Sequence, residues 1–130
     1  MTARLILIGA GHAHMEALRQ ADRFQAAGLA VTLIDPGVFW YSGAATGMLS
    51  GALSMDHARA DPAAVHAGVE IIKARAEHID AKARTITLDD GRRLSFDVAS
   101  LNTGSRIAPS ALTETGAIPV KPVSNLADVR

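Results

Sequence analysis

The sequence predicts an α/β fold in three layers, ββα in arrangement: a parallel sheet, helix on one side of it, and an antiparallel β-meander. Three features predict it. Two short apolar runs, Leu5–Ile8 and Ala30–Ile34, flank a stretch of helix formers within the roughly 30 residues that a strand–helix–strand crossover takes. An Asp-Gly turn, Asp89-Asp90-Gly91-Arg92, then separates two segments that alternate apolar and polar residues. A further apolar run, Val98–Leu101, ends at Asn102-Thr103-Gly104-Ser105.

Each element has its own local reason. Residues 4–8 read as a strand, with 5–8 continuously apolar and stopped by Gly9, the pattern of a strand buried on both faces. Residues 12–27 are rich in Ala, Met, Leu, Glu, Gln and Arg. Met15, Leu18, Ala21 and Phe24 fall near helical spacing, and Gly28 is a fitting stop. Residues 30–34 form the second strand, which Asp35-Pro36-Gly37 ends. Phe39 to Leu53 is rich in Gly, Ala and Ser and holds the only Trp and the only Tyr. Trp40 and Tyr41 suit either a ligand lip or a loop anchor. A short helix is expected over 63–67, with Pro62 at its first turn. Val69 to Ile79 reads as one strand, 85–88 and 93–96 as a hairpin, and 98–101 as another strand. Beyond Ile107, prolines 109, 119 and 122 and Gly116 leave little periodicity, so residues 107–130 read as a linker with a helix starting at Ser124 or Asn125. Residues 1–106 are then one domain.

Composition narrows the function. The chain has 130 residues, 13 basic against 13 acidic, and 48% apolar residues, enough for a single core. The balanced charge argues against a nucleic-acid partner, because nothing neutralises phosphates in bulk. There is no Cys, which excludes disulfides, zinc thiolates and a redox dithiol within this chain. No apolar run reaches the roughly 18 residues of a membrane span, and the start lacks the shape of a signal peptide. A cytoplasmic protein is expected.

The chemistry-bearing motif is Gly9-Ala10-Gly11-His12-Ala13-His14, placed after a buried strand and at the start of a helix. Gly9 permits a tight turn, and Gly11 admits a pyrophosphate against bare backbone. The amides at the helix start receive the charge. His14 stands where a third glycine is usual, so a looser crossing or a polar role for the ring is expected. Asp35 ends the second strand, where a carboxylate accepts hydrogen bonds from both ribose hydroxyls of an adenosine. His12 is expected beside the phosphates or flavin, and His14 packed on the sheet. His57, His66 and His78 are expected at the surface, with no shared metal. Met48, Leu49, Leu53 and Met55 suit core packing better than a ligand cleft. Arg92 and Arg93 read as solvated hairpin ends, and Glu77 and Asp97 as residues without an identifiable partner.

The meander and the strand ending in Asn102-Thr103-Gly104 resemble the FAD domain of flavoproteins with two dinucleotide domains, a Rossmann-like FAD/NAD(P)-binding fold; Asn102 stands where that group has Ala. Tyr41-Ser42-Gly43 with Ala45-Thr46-Gly47-Met48-Leu49-Ser50 resembles the flavin-side loop of type II NADH dehydrogenases and sulfide:quinone reductases. Gly-x-Gly-His-x-His, Tyr-Ser-Gly, Leu-Asn-x-Gly-Ser and Val120-Lys121-Pro122 are closer still to the module often fused to selenide, water dikinase, within the pyridine nucleotide-disulfide oxidoreductase group.

The resemblance implies an FAD-dependent oxidoreductase that oxidises NADH or NADPH. Without a Cys pair, its acceptor would be a quinone, dioxygen or another small oxidant. It implies that Gly9, Ala10, Gly11 and His12 cradle the pyrophosphate, that Asp35, with Pro36 after it, holds the adenosine ribose, and that Ala76 frames adenine. Tyr41, Ser42 and Gly43 would lie along the flavin, with Thr103 and Gly104 closing the pocket. Proteins of that group are several hundred residues long, with a separate NAD(P)H domain after a segment like 105–130. On that comparison this chain is the N-terminal part of a split FAD domain, with weak or no FAD binding and no turnover alone. The full-length protein would have no membrane span, though peripheral association is open to it, and an open sheet edge in this part would favour a homodimer. Two other readings stay open: the NAD-binding domain of a dehydrogenase, which expects a helix over 85–96, and a non-catalytic adenine-nucleotide module.

Overall fold

The computed structural model describes residues 1–108 and 114–129. They form two compact units, one of residues 1–39 and 61–103, the other of residues 40–60, 104–108 and 114–129.

In the first unit, β1 (Ala3–Ile8) leads through the glycine bend into α1 (His12–Arg19) and α2 (Ala21–Ala26), then β2 (Leu29–Ile34). β1 and β2 pair in parallel from Ala3↔Leu29 to Ile8↔Ile34. The expected single helix over 12–27 is two helices. Gln20, at φ −103° and ψ 16°, turns the backbone between them, and its amide is shared by the Glu16 and Ala17 carbonyls. Leu18 and Ala21, on either side of that turn, are both fully buried. Gly28 follows α2 at φ +83°, a conformation that side chains disfavour.

The expected strand over 69–79 is also two. β5 (Glu70–Ile72) joins the parallel sheet beside β2, whereas β6 (Ala76–Asp80) opens an antiparallel sheet with β7 (Thr85–Leu88) and β8 (Arg93–Ser95). Between them the Arg75 amide donates to Asp89 Oδ1 at 3.0 Å, and the Asp89 amide donates to the Arg75 carbonyl at 2.9 Å. This pairing diverts the chain out of the first sheet. β9 (Val98–Leu101) then returns to pair in parallel with β1, giving the order β5-β2-β1-β9. Strands occupy 85–88 and 93–95, where a plain NAD-binding domain would have a helix.

Alternation along β1 builds the layers. Leu5 and Leu7, with Val31 and Leu33, pack against Leu18 and Ala21 of the helices. Ile6 and Ile8, with Ile34 and Ile72, pack against Ile86, Leu88 and Phe96 of the meander region. The central strands are thus covered on both faces, which explains why β1 and β2 are mostly apolar.

Polar contacts close the unit. Asp97 has a partner after all: its Oδ2 accepts the Arg4 amide at 2.7 Å, joining the start of β9 to β1. His66 is half-buried, with Nε2 3.0 Å from Asp22 Oδ1 and Nδ1 accepting the Gly68 amide. In the hairpin turn the Arg92 guanidinium hydrogen-bonds Asp90 and holds its carboxyl below the usual carboxylate range. Pro62–Ala64 is one 3₁₀ turn, shorter than the expected helix, with Asp61 Oδ1 accepting the Ala63 amide.

The second unit contains β3 (Phe39–Trp40, Trp40 lying in this unit) paired with β4 (Arg59–Ala60), and α3 (Ala45–Ser50). Its core joins Ala44, Met48, Ala58 and Leu126, with Trp40 and Met55 packed against them. Met48 is buried as expected, whereas Leu49 and Leu53 are exposed. The expected late helix is a 3₁₀ run over Val123–Val129. Of the residues read as linker, 109–113 and 130 lie outside the described residues. None of the described helices is long and apolar enough to cross a membrane.

Candidate functional site

The site forms where β1 ends. Gly9 has φ +87°, and its amide donates to the Ile34 carbonyl at 2.8 Å, so the bend is tied to the end of β2. Asp35 lies one residue further on. Its Oδ2 accepts the Ala10 amide at 2.7 Å, and its Oδ1 accepts the Gly37 amide at 2.8 Å. The carboxylate is therefore aimed at the glycine bend and held through both oxygens. Each oxygen keeps acceptor capacity for a further donor.

The two glycines answer to a neighbour that the sequence did not suggest. A Cβ on Gly9 would stand 2.5 Å from the Asn102 carbonyl oxygen and 2.6 Å from Thr103 Cα. A Cβ on Gly11 would collide with the Asn102 side-chain amide, and it would stand 2.8 Å from the Asn102 carbonyl oxygen. The Gly11 amide donates to that carbonyl at 3.2 Å. The space at Gly11, expected for a pyrophosphate, is thus filled on its Cα side by the end of β9. Asn102 Oδ1 is buried there without a hydrogen-bond partner among the described residues.

His14 is 4% exposed. Its Nδ1 lies 2.6 Å from the Gly9 carbonyl oxygen and its Nε2 2.9 Å from Ser100 Oγ. The polar role expected for the ring is a bridge from the bend to β9. No side chain caps α1 at Gly11, and its first turn carries no acidic residue. The Gly9, Ala10 and Gly11 amides are already taken by Ile34, Asp35 and Asn102, so an anion at that end would meet the positive end of the helix dipole rather than these three amides.

A pocket of about 290 Å³ opens between these strand ends, lined by Gly9, Asp35, Pro36, Arg75, Ala76 and Thr103 with Ile8, Ile34 and Ala74. It brings together five of the residues singled out in the sequence: Gly9, Asp35, Pro36, Ala76 and Thr103. Arg75 was missed, though it adjoins Ala76 and its charge is plain in the sequence. Ala10 and Gly11 form the bend itself. The His12 ring is exposed and meets Phe39 edge-to-face, with centroids 4.8 Å apart.

Tyr41, Ser42, Gly43 and Gly104 belong to the second unit. Ser42 and Gly43 start a 3₁₀ turn, and the half-exposed Tyr41 ring lies over Gly43, where a Cβ would come within 2.7 Å of it. Gly104 has φ +76°. Among the described residues no three His, Asp or Glu side chains group to hold a metal ion.

Comparison with known proteins places this geometry in a fold. No family model and no curated sequence matches the chain. Solved structures do. The NAD-dependent persulfide reductase from A. fulgidus matches 97% of this chain with a TM-score of 0.74 and 17% identity, over 26% of its own length. The sulfide:quinone oxidoreductase from the hyperthermophilic bacterium Aquifex aeolicus matches 82% of this chain, with a TM-score of 0.67 and 23% identity, over 25% of its length. The water-forming NADH oxidase from Lactobacillus brevis, bound to NADH, matches 84%, with a TM-score of 0.65 and 20% identity, over 27% of its length. The chain therefore has the Rossmann-like dinucleotide-binding fold of these oxidoreductases, and it spans about a quarter of each.

Proposed function

We propose that this chain is the N-terminal FAD-binding part of an FAD-dependent NAD(P)H oxidoreductase whose acceptor is not a dithiol in this chain, a quinone being the first candidate. The observation that carries the reading is the Asp35 carboxylate, 2.7 Å from the Ala10 amide, in a pocket that also has Ala76 and Thr103 in its wall. A carboxylate at the end of the second strand, beside a glycine bend, suits the ribose of an adenosine. Ala76 leaves room for adenine, and Arg75, also in the pocket wall, adds a positive charge. The uncapped start of α1 suits the diphosphate. The ββα layering supports a flavoprotein over a plain NAD domain.

In this reading Asp35 and Pro36 hold the ribose, Ala76 frames adenine, and the Gly9–His12 bend at the positive end of α1 faces the diphosphate. The same reading assigns Thr103 of the first unit, and Gly104, Tyr41, Ser42 and Gly43 of the second, to the flavin. Bound FAD supplies the two-electron chemistry of NAD(P)H oxidation. The absence of Cys keeps that chemistry from ending on a dithiol in this chain. We further propose that the β9 edge of the parallel sheet mediates self-association.

Isothermal titration with ADP and FAD tests the reading. ADP is expected to bind, and Asp35→Ala to weaken it about tenfold, as loss of a charge-assisted contact does. FAD is expected to bind with a Kd above about 1 μM, because this chain supplies mainly the adenosine side. No binding of either ligand overturns the proposal. Equal affinity for ADP and FAD, with no flavin-specific change in absorbance, favours an adenine-nucleotide module instead.

A further inference from the structure

We infer that His14 is a positioning residue for nucleotide binding: it fixes the Gly9–Ala10 peptide, and through it the Asp35 carboxylate, by a hydrogen-bond relay that starts on β9. The inference rests on the nucleotide reading above and names the device that orients its ribose-binding group.

The relay follows from four groups. A carbonyl oxygen only accepts, so the 2.6 Å contact between His14 Nδ1 and the Gly9 carbonyl requires Nδ1 to carry a proton. In the neutral ring Nε2 is then an acceptor, and the Ser100 hydroxyl, 2.9 Å away, donates to it. The Gly9 carbonyl and the Ala10 amide belong to one planar trans peptide, so they point in opposite directions. The carbonyl is held inward by His14, and the amide is held against Asp35 Oδ2 at 2.7 Å. Ser100, His14, the Gly9–Ala10 peptide and Asp35 thus form one chain of hydrogen bonds from β9 to the end of β2.

Gly9 makes such a clamp necessary. A glycine at φ +87° places little steric restraint on its own ψ, so the following peptide can rotate. Rotation would turn the Gly9 carbonyl toward the Asp35 carboxylate and the Ala10 amide away from it. Two acceptors would then face each other where one donor is needed. His14 opposes this rotation from a buried position, with its ring anchored by Ser100. A glycine at position 14 could not do so. The side chain that departs from the usual glycine pattern therefore takes over part of the pattern's work.

Amide exchange and ADP titration, both followed by ¹⁵N NMR on the full chain, test the inference. In ligand-free protein, His14→Ala is expected to speed exchange of the Ala10 amide at least tenfold, while the Leu7 and Leu33 amides in the sheet keep their protection. The same variant should weaken ADP binding about tenfold. His14→Asn places an amide N–H near the Nδ1 position and should restore both readouts to within threefold. If His14 acts through Asp35, the double variant His14→Ala/Asp35→Asn binds ADP no more weakly than Asp35→Asn alone. Additive losses, an unchanged Ala10 exchange rate, or failure of His14→Asn to restore it overturns the inference. Wild-type protein that binds no ADP overturns the nucleotide reading instead, and the relay is then decided by Ala10 exchange alone.

Discussion

At the scale of single residues, the glycine bend shows how one motif can satisfy two demands. Gly9 and Gly11 sit where a dinucleotide pattern wants them, yet the atoms that exclude a side chain belong to Asn102 and Thr103. The two positions should therefore respond differently to substitution. At Gly9 the obstructing atoms are all backbone, and the φ of +87° itself disfavours a Cβ. Gly9→Ala is expected to destabilise the fold by several kcal/mol, beyond the usual 1–2 kcal/mol of a left-handed alanine, since the β9 end must also move. At Gly11 the worst contact is with the Asn102 side chain, which can be removed. Gly11→Ala should be partly rescued by Asn102→Ala, whereas Gly9→Ala should not. Thermal unfolding of the three single and two double variants measures this, and equal rescue at both positions would overturn the distinction. The carboxylate of Asp35 and the small residues of the bend were legible in the sequence because their chemistry is local. The bridge from His14 to Ser100 was not, because it links residues 86 apart whose adjacency exists only once β9 lies beside β1.

Elements follow the same division between local and distant causes. β1, β2, β7, β8 and β9 were readable because their apolar patterns and stops lie within the segments themselves. The break between β5 and β6 was not, since a run from Val69 to Ile79 carries no mark of where it changes sheet. The mark is Asp89, which takes both backbone hydrogen bonds of Arg75 from 14 residues away. Gln20 is similar: it is a good helix former, and nothing within the segment marks the turn its backbone makes at φ −103° and ψ 16°. The hairpin offers a purely local test. Gly91 has φ +84° with open space around it, so Gly91→Ala should cost about 1 kcal/mol through backbone strain alone. That loss should appear in thermal unfolding without a change in ADP affinity. In the same turn, the Arg92 hydrogen bond lowers the Asp90 carboxyl's pKa. A lowered folded value means the interaction stabilises above the ordinary carboxylate range and is lost as pH falls through that lowered value. Arg92→Ala should raise the Asp90 titration midpoint toward the ordinary range, measured by carboxyl NMR. Because both side chains are about half exposed, stability at neutral pH should barely change.

On the scale of the molecule, sheet order decides which backbone is left to pair. The order β5-β2-β1-β9 places β5 and β9 at the two edges. β5 begins with Glu70 and is followed by Lys73, charges of the kind that discourage strand addition. β9 reads Val-Ala-Ser-Leu, with neither charge nor proline, and its Val98 and Leu101 are 52% and 62% exposed. Its inner edge pairs with β1, and its outer edge has no strand partner among the described residues. A short apolar strand with a bare edge is a template for a second copy. Light scattering coupled to size exclusion should therefore show association that rises with protein concentration. Val98→Lys should shift the population to monomer, because a lysine at the edge must be desolvated before another strand can pair there. Thermal unfolding of the variant at low concentration should match that of the wild type, since the replaced side chain already faces solvent. A wild-type chain that stays monomeric at every concentration, or a lysine variant that associates equally well, would show that this edge is not where copies meet.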